Sequence, residues 1–227
     1  MDLAEVLRIY DAEGITRTIN CRNEVAMAHA ATCLSWQFGE VPAVVTSIGP
    51  GALQAMAGSL ASASNGVGVY HIYGAETTYG EGYNMQQIPK EQQGLFGQMT
   101  ALMGQSYVLH TPGAMRECMR RGKACVHHPV KPGPFFMLLP LNTQPESLEL
   151  NLTTLPGNDR LPSFVAADDG VFDQAIELIA RSKAPVIKAG GGARGHDAHI
   201  RQLAERIGAA VVQSPGSTGV LPDNHPQ

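Results

Sequence analysis

The chain has 227 residues, of which 44% are hydrophobic and 16% are charged, and its formal net charge is −4. This length is enough for one or two domains with buried cores, and the mildly acidic balance excludes the electrostatic profile of a protein that binds nucleic acid or an anionic membrane. No apolar run reaches the ~20 residues of a membrane helix, and no basic stretch followed by an apolar one opens the chain, so we expect a cytoplasmic protein.

The first quarter of the chain alternates between helical and strand patterns. Apolar spacing predicts helices over 3–10 and 25–37 and strands over 15–19 and 42–47. Glu24 then falls where a strand is followed by a helix, which places its carboxylate at the rim of a parallel sheet, where α/β proteins bind ligands. The competing interpretation is structural, because a glutamate in the first turn of a helix is stabilised by the helix dipole by roughly 0.3–1 kcal/mol.

The rest of the chain continues the alternation. The turn Gly49-Pro50-Gly51 leads into a helix rich in small residues, and the loop 74–87 is long enough to suggest a functional role. The predicted helices are 52–63, 95–103, 111–125, 171–181 and 196–207, and the predicted strands are 66–73, 106–109, 135–139, 185–189 and 209–213. Strands that alternate with helices predict an α/β fold with parallel sheets, in two successive units.

Glu24 is accompanied by residues that form a recognisable set. They are Arg22-Asn23-Glu24 before the helix and Thr46-Ser47-Ile48-Gly49-Pro50-Gly51 after the next strand. The set resembles the pyrimidine-binding domain of thiamine-diphosphate enzymes of the acetolactate synthase and pyruvate oxidase type. The Arg-Asn-Glu variant is most similar to the trihydroxycyclohexanedione hydrolases. The resemblance runs from residue 1 to about 142 and resumes at 171.

The resemblance implies a domain organisation. Residues 1–142 would form a pyrimidine-binding domain with a parallel sheet flanked by helices, residues 143–169 a linker, and residues 170–227 the first half of a second, Rossmann-like α/β domain. In the family a strand and a glycine-rich loop precede the first helix, and the middle domain continues further. We therefore expect that the first strand and the back half of the middle domain are missing from this sequence.

The resemblance also implies site residues. Glu24 would be the catalytic residue and would bind the aminopyrimidine ring of thiamine diphosphate. Further cofactor contacts would come from Gly49, Pro50, Gly51, Gln54 and Gln87, with Gln54 standing where the family has Asn. The family's Gly-Asp-Gly motif with its later Asn does not occur, so Mg²⁺ and the diphosphate would be held by a domain outside this chain, and no metal site is expected within it.

Several functions follow from the resemblance. The complete protein would be a thiamine-diphosphate-dependent enzyme that acts on a C–C bond next to a carbonyl of a small molecule. Hydrolysis of a cyclic 1,2-dione is the first interpretation, and a 2-keto acid decarboxylase or an acetolactate synthase-like carboligase is the alternative. The chain would work as a homodimer or tetramer, or with a subunit that carries the diphosphate-binding domain. A noncatalytic interaction module is a further alternative.

The glycine-rich stretch 190–195 offers a nucleotide-binding alternative. It fits G-x-G-x-x-G between a strand and a helix, but the next strand ends at Val212-Gln213 without the acidic residue that would hold a ribose. Because that acidic residue is missing, a tight strand-to-helix turn explains the glycines better than a nicotinamide-dinucleotide site does. Because some relatives in the family hold flavin or ADP against this domain, FAD or ADP is an additional ligand that the resemblance implies.

Overall fold

A computed structural model of the chain describes residues 2–78, 94–157 and 168–227. The chain divides into two compact units, Met1–Pro162 and Ser163–Gln227. The boundaries at 142 and 170 that the sequence suggests stay a prediction, because residues 158–167 lie outside the described part.

The described part of the first unit contains a four-stranded sheet and five helices. The helices are α1 (Asp2–Ala12), α2 (Glu24–Phe38), α3 (Pro50–Asn65), α4 (Leu95–Ala101) and α5 (Met115–Val126), and the strands are β1 (Ala43–Thr46), β2 (Val69–Ala75), β3 (Gln105–Val108) and β4 (Pro134–Pro140). The strand order is β1-β2-β4-β3, and all three pairings are parallel. The predicted α/β fold with a parallel sheet flanked by helices is therefore confirmed.

The sheet is buried on both faces by separate core clusters. Alternate residues of β2, including Val69 and Tyr73, pack with Phe136 and Leu138 against residues of α2, α3 and α4. The opposite face carries Phe135 and Met137 of β4 together with buried residues of α5. Burial on both faces explains why β4 reads as a continuous apolar run, Pro-Phe-Phe-Met-Leu-Leu-Pro, instead of an alternating one.

Small residues allow α2 and α3 to pack closely. A Cβ atom added to Gly58 would lie 2.8 Å from the Cβ of Ala28 and 2.8 Å from the backbone oxygen of Val25. We call these three residues the α2–α3 seam. Only glycine at position 58 leaves enough room, so the seam explains the Ala, Gly and Ser content of α3 and fixes the separation of the two helices.

The strand predicted over 15–19 is wrong. Residues 17–20 have no regular secondary structure, and no described strand pairs with them. The N–H of Thr18 donates instead to the Asp11 carboxylate at 2.7 Å, and Ile15 and Ile19 are 60% and 62% exposed. Without a neighbouring strand, alternating apolar residues cannot form a ladder, so they run along the surface next to α1.

The second unit is smaller and follows the predicted alternation. Its described elements are α6 (Asp169–Arg181), β5 (Val186–Ala189), α7 (Asp197–Ile207) and β6 (Ala210–Gln213), and β5 pairs with β6 in parallel. Among the helices that the structure describes in either unit, none combines the length and apolar character that crossing a membrane requires.

Candidate functional site

Glu24 is the first residue of α2, and the residue before it fixes that position. The backbone of Asn23 is extended, and its side-chain Oδ1 accepts a hydrogen bond from the N–H of Ala26 at 2.8 Å. Asparagine is among the preferred residues for this capping role. The helix therefore begins at a defined point, and the Glu24 side chain starts from a constrained backbone.

The Gly49-Pro50-Gly51 turn brings α3 close to Glu24. Gly49 has φ +74°, a conformation that favours glycine, and Pro50 occupies the first position of α3, where its missing N–H has no cost. A Cβ atom on Gly51 would lie 2.6 Å from Oγ1 of Thr46, 2.8 Å from Oγ of Ser47 and 3.3 Å from Oε1 of Glu24. The Glu24 carboxylate thus lies beside the carboxyl end of β1, against bare backbone of α3.

Glu24 faces a large groove in the first unit. The groove has a volume of about 1320 Å³ and is bounded by α1, by the segment 16–24 and by the strands β1 and β2. Beside Glu24 its wall is formed by strand-end residues and by Met27 of α2. These strand-end residues are Thr46, Ser47, Ile48, Tyr73 and Gly74. Glu24 therefore lies at a strand-end crevice, but the strand end beside it is that of β1 and not of the strand predicted over 15–19.

The charges around the groove are mixed. Arg8, Asp11, Arg17 and Arg22 line it together with Glu24. Arg8 forms an ion pair with Glu5 at 2.6 Å, and the hydrogen bond from Arg8 lowers the pKa of that carboxyl. Within the described residues, no ion pair involves Glu24, which leaves its carboxylate accessible to a ligand in the groove.

The other predicted site residues differ in their placement. Gly49 and Gly51 are buried, Pro50 is exposed, and Gln54 is exposed on α3 and does not line the groove. Gln87 and most of the loop 74–87 lie outside the described residues. The structure thus brings Gly51 next to Glu24 but does not bring Gln54 there, and the cofactor contacts of all five residues stay predictions.

A buried polar pair on β2 was not foreseen from the sequence. The Tyr73 hydroxyl and Nδ1 of His71 are hydrogen-bonded at 2.9 Å, and the His71 ring stacks on Phe136 with ring centroids 4.8 Å apart. Both side chains are fully buried. Burial lowers the pKa of His71 to about 3 and raises the pKa of Tyr73. The available signal was the two-residue periodicity of the predicted strand 66–73, since it places 71 and 73 on the same face as Val69.

A second, smaller pocket of about 320 Å³ lies at the carboxyl ends of β2, β3 and β4. Glu76, Thr77, Thr78 and His110 are its polar lining residues. The sequence predicts a functional role for the loop 74–87, which contains Glu76, Thr77 and Thr78, but it does not indicate His110. The signal that could have found this pocket is positional, because each of its four polar residues follows the end of a strand by at most three residues, and parallel sheets gather ligand-binding side chains there.

The described residues contain no group of three or more His, Cys, Asp or Glu side chains that could hold a metal ion. In the second unit, a 3₁₀ turn at Gly191–Ala193 follows β5, and Oγ of Ser217 donates to the backbone oxygen of Ala189 at 2.7 Å. The glycine-rich segment after β5 therefore forms a tight turn beside the end of β6. The FAD or ADP site suggested by the resemblance stays a prediction.

Comparison with known protein families identifies both parts of the chain. Residues 2–95 match the family described as thiamine pyrophosphate enzyme, N-terminal TPP binding domain. Residues 172–227 match the family described as thiamine pyrophosphate enzyme, central domain. The two matches cover most of the chain and occur in the order in which the two described units follow each other.

Individual relatives agree with these matches. The chain is 28% identical over 224 residues to a probable acetolactate synthase large subunit of Methanocaldococcus jannaschii, covering 96% of this chain and 36% of that protein. It is 27% identical over 228 residues to an acetolactate synthase of Arthrospira platensis, with 96% and 38% covered. It is 25% identical over 231 residues to a pyruvate decarboxylase of Candida glabrata, with 97% and 40% covered. The chain therefore spans well under half the length of the relatives it matches.

Proposed function

Because the chain belongs to the thiamine pyrophosphate enzyme family, with an N-terminal and a central domain, we propose that it forms the pyrimidine-binding part of an enzyme that acts on 2-keto acids. The observation that supports this proposal best is the Glu24 carboxylate at the strand-end groove, beside Gly51 and without an ion pair to any described residue. An acid at this point can bind a ring nitrogen that carries or exchanges a proton.

The residues around Glu24 fit a flat heteroaromatic ring. Gly51 presents backbone where any side chain would collide with Thr46, Ser47 or Glu24. Ile48 and Met27 add apolar surface along the groove wall. We therefore assign the aminopyrimidine ring of thiamine pyrophosphate to this end of the groove, with Glu24 as its polar contact and Gly51 as the position that keeps the space open.

When bound, thiamine pyrophosphate supplies the nucleophilic carbon and the stabilisation of negative charge that breaking a bond next to a carbonyl requires. The role of this chain is orientation and proton control. The Glu24 carboxylate would accept a hydrogen bond from the pyrimidine ring nitrogen nearest to it and would favour the protonated form of that nitrogen. The Asn23 cap and the α2–α3 seam hold the backbone on either side of that carboxylate.

The relatives favour a 2-keto acid as the substrate. Their names include acetolactate synthase and pyruvate decarboxylase, and a cyclic dione hydrolase is not among those reported above. We therefore place the 2-keto acid decarboxylase or carboligase ahead of the cyclic dione hydrolase suggested by Arg22-Asn23-Glu24. Mg²⁺ and the diphosphate group are assigned to a diphosphate-binding domain, either in a second copy of the same protein or in a partner subunit.

A binding experiment on the isolated chain tests the role of Glu24. The probe is thiamine, which carries the aminopyrimidine ring without the diphosphate, and binding is followed by amide chemical shifts in ¹⁵N NMR spectra. We expect saturable shifts at residues 23–27, 46–51 and 73–74. Replacing Glu24 by Gln should weaken binding about tenfold, since a hydrogen bond to a charged group contributes roughly 1.5–3 kcal/mol.

The matched control is Glu40→Gln, which removes an exposed carboxylate that does not line the groove. It should leave thiamine binding unchanged. Equal binding by the chain and by the Glu24→Gln variant would contradict the assignment. In the protein that carries this chain together with a diphosphate-binding domain, the same substitution should abolish most cofactor-dependent release of CO₂ from pyruvate.

A further inference from the structure

Helix α5 has a buried side and a basic side. Its buried residues are Cys118, Gly122, Cys125 and Val126. Arg116, Arg120 and Lys123 are spaced by four and three residues, which places them together on one side of the helix, away from the buried residues. Arg116 and Arg120 are exposed, and Lys123 is half-buried. We call Arg116, Arg120 and Lys123 the basic stripe.

The basic stripe lies in a segment that concentrates positive charge. Residues 116–131 include five of the 16 Lys and Arg residues of the chain and one of its 20 Asp and Glu residues. The formal net charge of this segment is therefore +4, whereas that of the whole chain is −4. Like charges four residues apart, such as Arg116 and Arg120, repel each other and destabilise a helix. A solvated helix face usually alternates acidic and basic residues, so this stripe favours a negatively charged partner.

Glu117 provides the only carboxylate of α5 and does not neutralise the stripe. Arg120 donates to Glu117 from Nε at 2.8 Å and from Nη2 at 2.7 Å, and Nε of Arg121 donates to the same carboxylate at 2.8 Å. These hydrogen bonds lower the pKa of Glu117 to about 2. Two guanidinium groups thus share one carboxylate. The two-pronged contact also shows that Arg120 can hold a carboxylate in the geometry that guanidinium groups prefer.

Arg116 and Lys123 carry charges that no carboxylate of the described residues pairs with. Nε of Arg116 donates to the backbone oxygen of Thr154 at 2.9 Å, which holds the side chain in place without neutralising it. Lys123 lies in the last turn of α5. Burial and the charge of Lys123 lower the pKa of His127, so this imidazole is mostly neutral at pH 7. The positive charge at this end of the stripe therefore belongs to Lys123.

An exposed apolar side chain borders the basic stripe and narrows the kind of partner. Met119 is 36% exposed and lies three residues from Arg116 and four from Lys123, so it is next to both on the helix surface. Apolar surface beside cations fits a polypeptide better than a free inorganic anion. The stripe extends over seven residues of helix, roughly 10 Å, which is enough for two or three carboxylates. A long nucleic-acid backbone would reach beyond it onto a chain that is acidic elsewhere and would be repelled there.

We propose that the basic stripe binds a short acidic segment of a partner protein. Arg116 and Lys123 pair with carboxylates of that segment, Arg120 shares a carboxylate contact with Glu117, and Met119 contacts its apolar atoms. This site goes beyond the proposed function, because none of the described residues that line the groove with Glu24 belongs to α5. Helix α5 also packs on the face of the sheet opposite to α2, α3 and α4. A partner bound to the stripe therefore leaves the groove open.

The site is tested with octaglutamate, capped at both ends, which is titrated into the ¹⁵N-labelled chain at low ionic strength. We expect saturable amide shifts at residues 115–127 that disappear at high ionic strength, because salt screens exposed ion pairs. The double variant Arg116→Gln, Lys123→Gln removes two charges that have no carboxylate partner and should weaken binding about fivefold. Glu117→Gln frees the Arg120 guanidinium for the peptide and should strengthen binding about twofold.

The matched control is the double variant Arg201→Gln, Arg206→Gln, which removes two exposed charges from α7 and should leave octaglutamate binding nearly unchanged. The NMR spectrum of each variant reports whether it folds. Because the double variant in the stripe and Glu117→Gln should change binding in opposite directions, either of them alone can contradict the proposal. Thiamine binding should be the same in all these variants, and its absence from the unchanged chain would contradict only the role assigned to Glu24.

Several outcomes would overturn the proposal. They are absence of saturable shifts on α5, equal weakening by the control variant, and unchanged binding by the double variant in the stripe. Equally tight binding of octathymidylate or inorganic phosphate at the same residues would assign the stripe to nucleic acid or to a free anion instead. Shifts on α5 that depend on protein concentration without any peptide would assign it to a second copy of the chain.

Discussion

The two sides of Glu24 differ in how firmly they are packed. On one side, α2 and α3 meet at the α2–α3 seam and bury Ala28, Ala31 and Ala55 against the sheet. On the other side, α1 has no buried residue, and Val6 is 42% exposed. The position of Glu24 is therefore fixed by the packing of α2 against α3 and the sheet, and not by α1. The opposite flank leaves open the groove that a ligand needs.

The strongest test of this contrast compares the core with α1. Phe136 is fully buried in the cluster beneath α2 and α3, so Phe136→Ala should lower the free energy of unfolding by about 3–5 kcal/mol. Val6→Ala in α1 should change it by no more than about 0.5 kcal/mol, since the side chain is 42% exposed and belongs to neither core cluster. Urea denaturation followed by circular dichroism measures both. A cost above about 2 kcal/mol for Val6→Ala would show that α1 is packed as tightly as the seam.

The dependence of stability on acidic pH tests whether α2, α3 and the sheet exclude water from the buried pair His71 and Tyr73. The folded-state pKa of His71 is about 3, below the ordinary value of 6.5, so the unfolded chain binds a proton more readily. The stabilisation that His71 contributes as an uncharged residue is therefore fully present above pH 6.5 and is lost as the pH falls towards 3. The expected loss between pH 6.5 and 4.5 is about 2 kcal/mol.

The measurement is urea denaturation at several pH values for the chain and for His71→Gln, whose side chain does not titrate in this range. Comparing the pH dependence of the two proteins separates the contribution of His71 from that of the carboxylates. His29→Gln removes an exposed histidine on α2 and is the control for losing an imidazole outside the core. Identical pH profiles for the chain and for His71→Gln would mean that water reaches the ring.

The smallest loss of stability is expected at Asn23, the residue immediately before α2. Asn23→Ala removes the side-chain cap of α2 and should cost about 1 kcal/mol, while Asn23→Ser keeps a capping oxygen and should cost only a few tenths of that. The same urea denaturation measures both variants. Equal costs for alanine and serine would show that the cap does not stabilise the start of α2.

The sequence was sufficient for the regular parts of the fold. The small residues of α3, the continuous apolar run of β4 and the spacing of the helices predict two parallel α/β units, and the structure has them. The place of Glu24 at a helix start was likewise predicted from the helical pattern of 25–37 and from the family resemblance. Local propensity and burial agree in these segments, which is why a local pattern was enough.

The sequence was not sufficient where the structure of a segment depends on which other segment of the chain lies next to it. The alternation at 15–19 predicts a strand, but a strand exists only where another strand pairs with it, and the local pattern cannot supply that neighbour. The Tyr73–His71 pair and the pocket with Glu76 and His110 depend on which side chains meet after folding. Their positions near strand ends can be predicted, but their contacts cannot.

The α2–α3 seam has a consequence for large-scale mutational scans. Gly58 lies seven residues after Gly51 on the same helix, roughly 10 Å along its axis, and a Cβ there would push α3 away from α2. Such a displacement would move Gly51 relative to Glu24. Substitutions at the seam will therefore score as inactive in a selection, although none of these residues contacts a ligand. The positions that do not tolerate substitution will extend along both helices, well beyond the residues that bind the ligand.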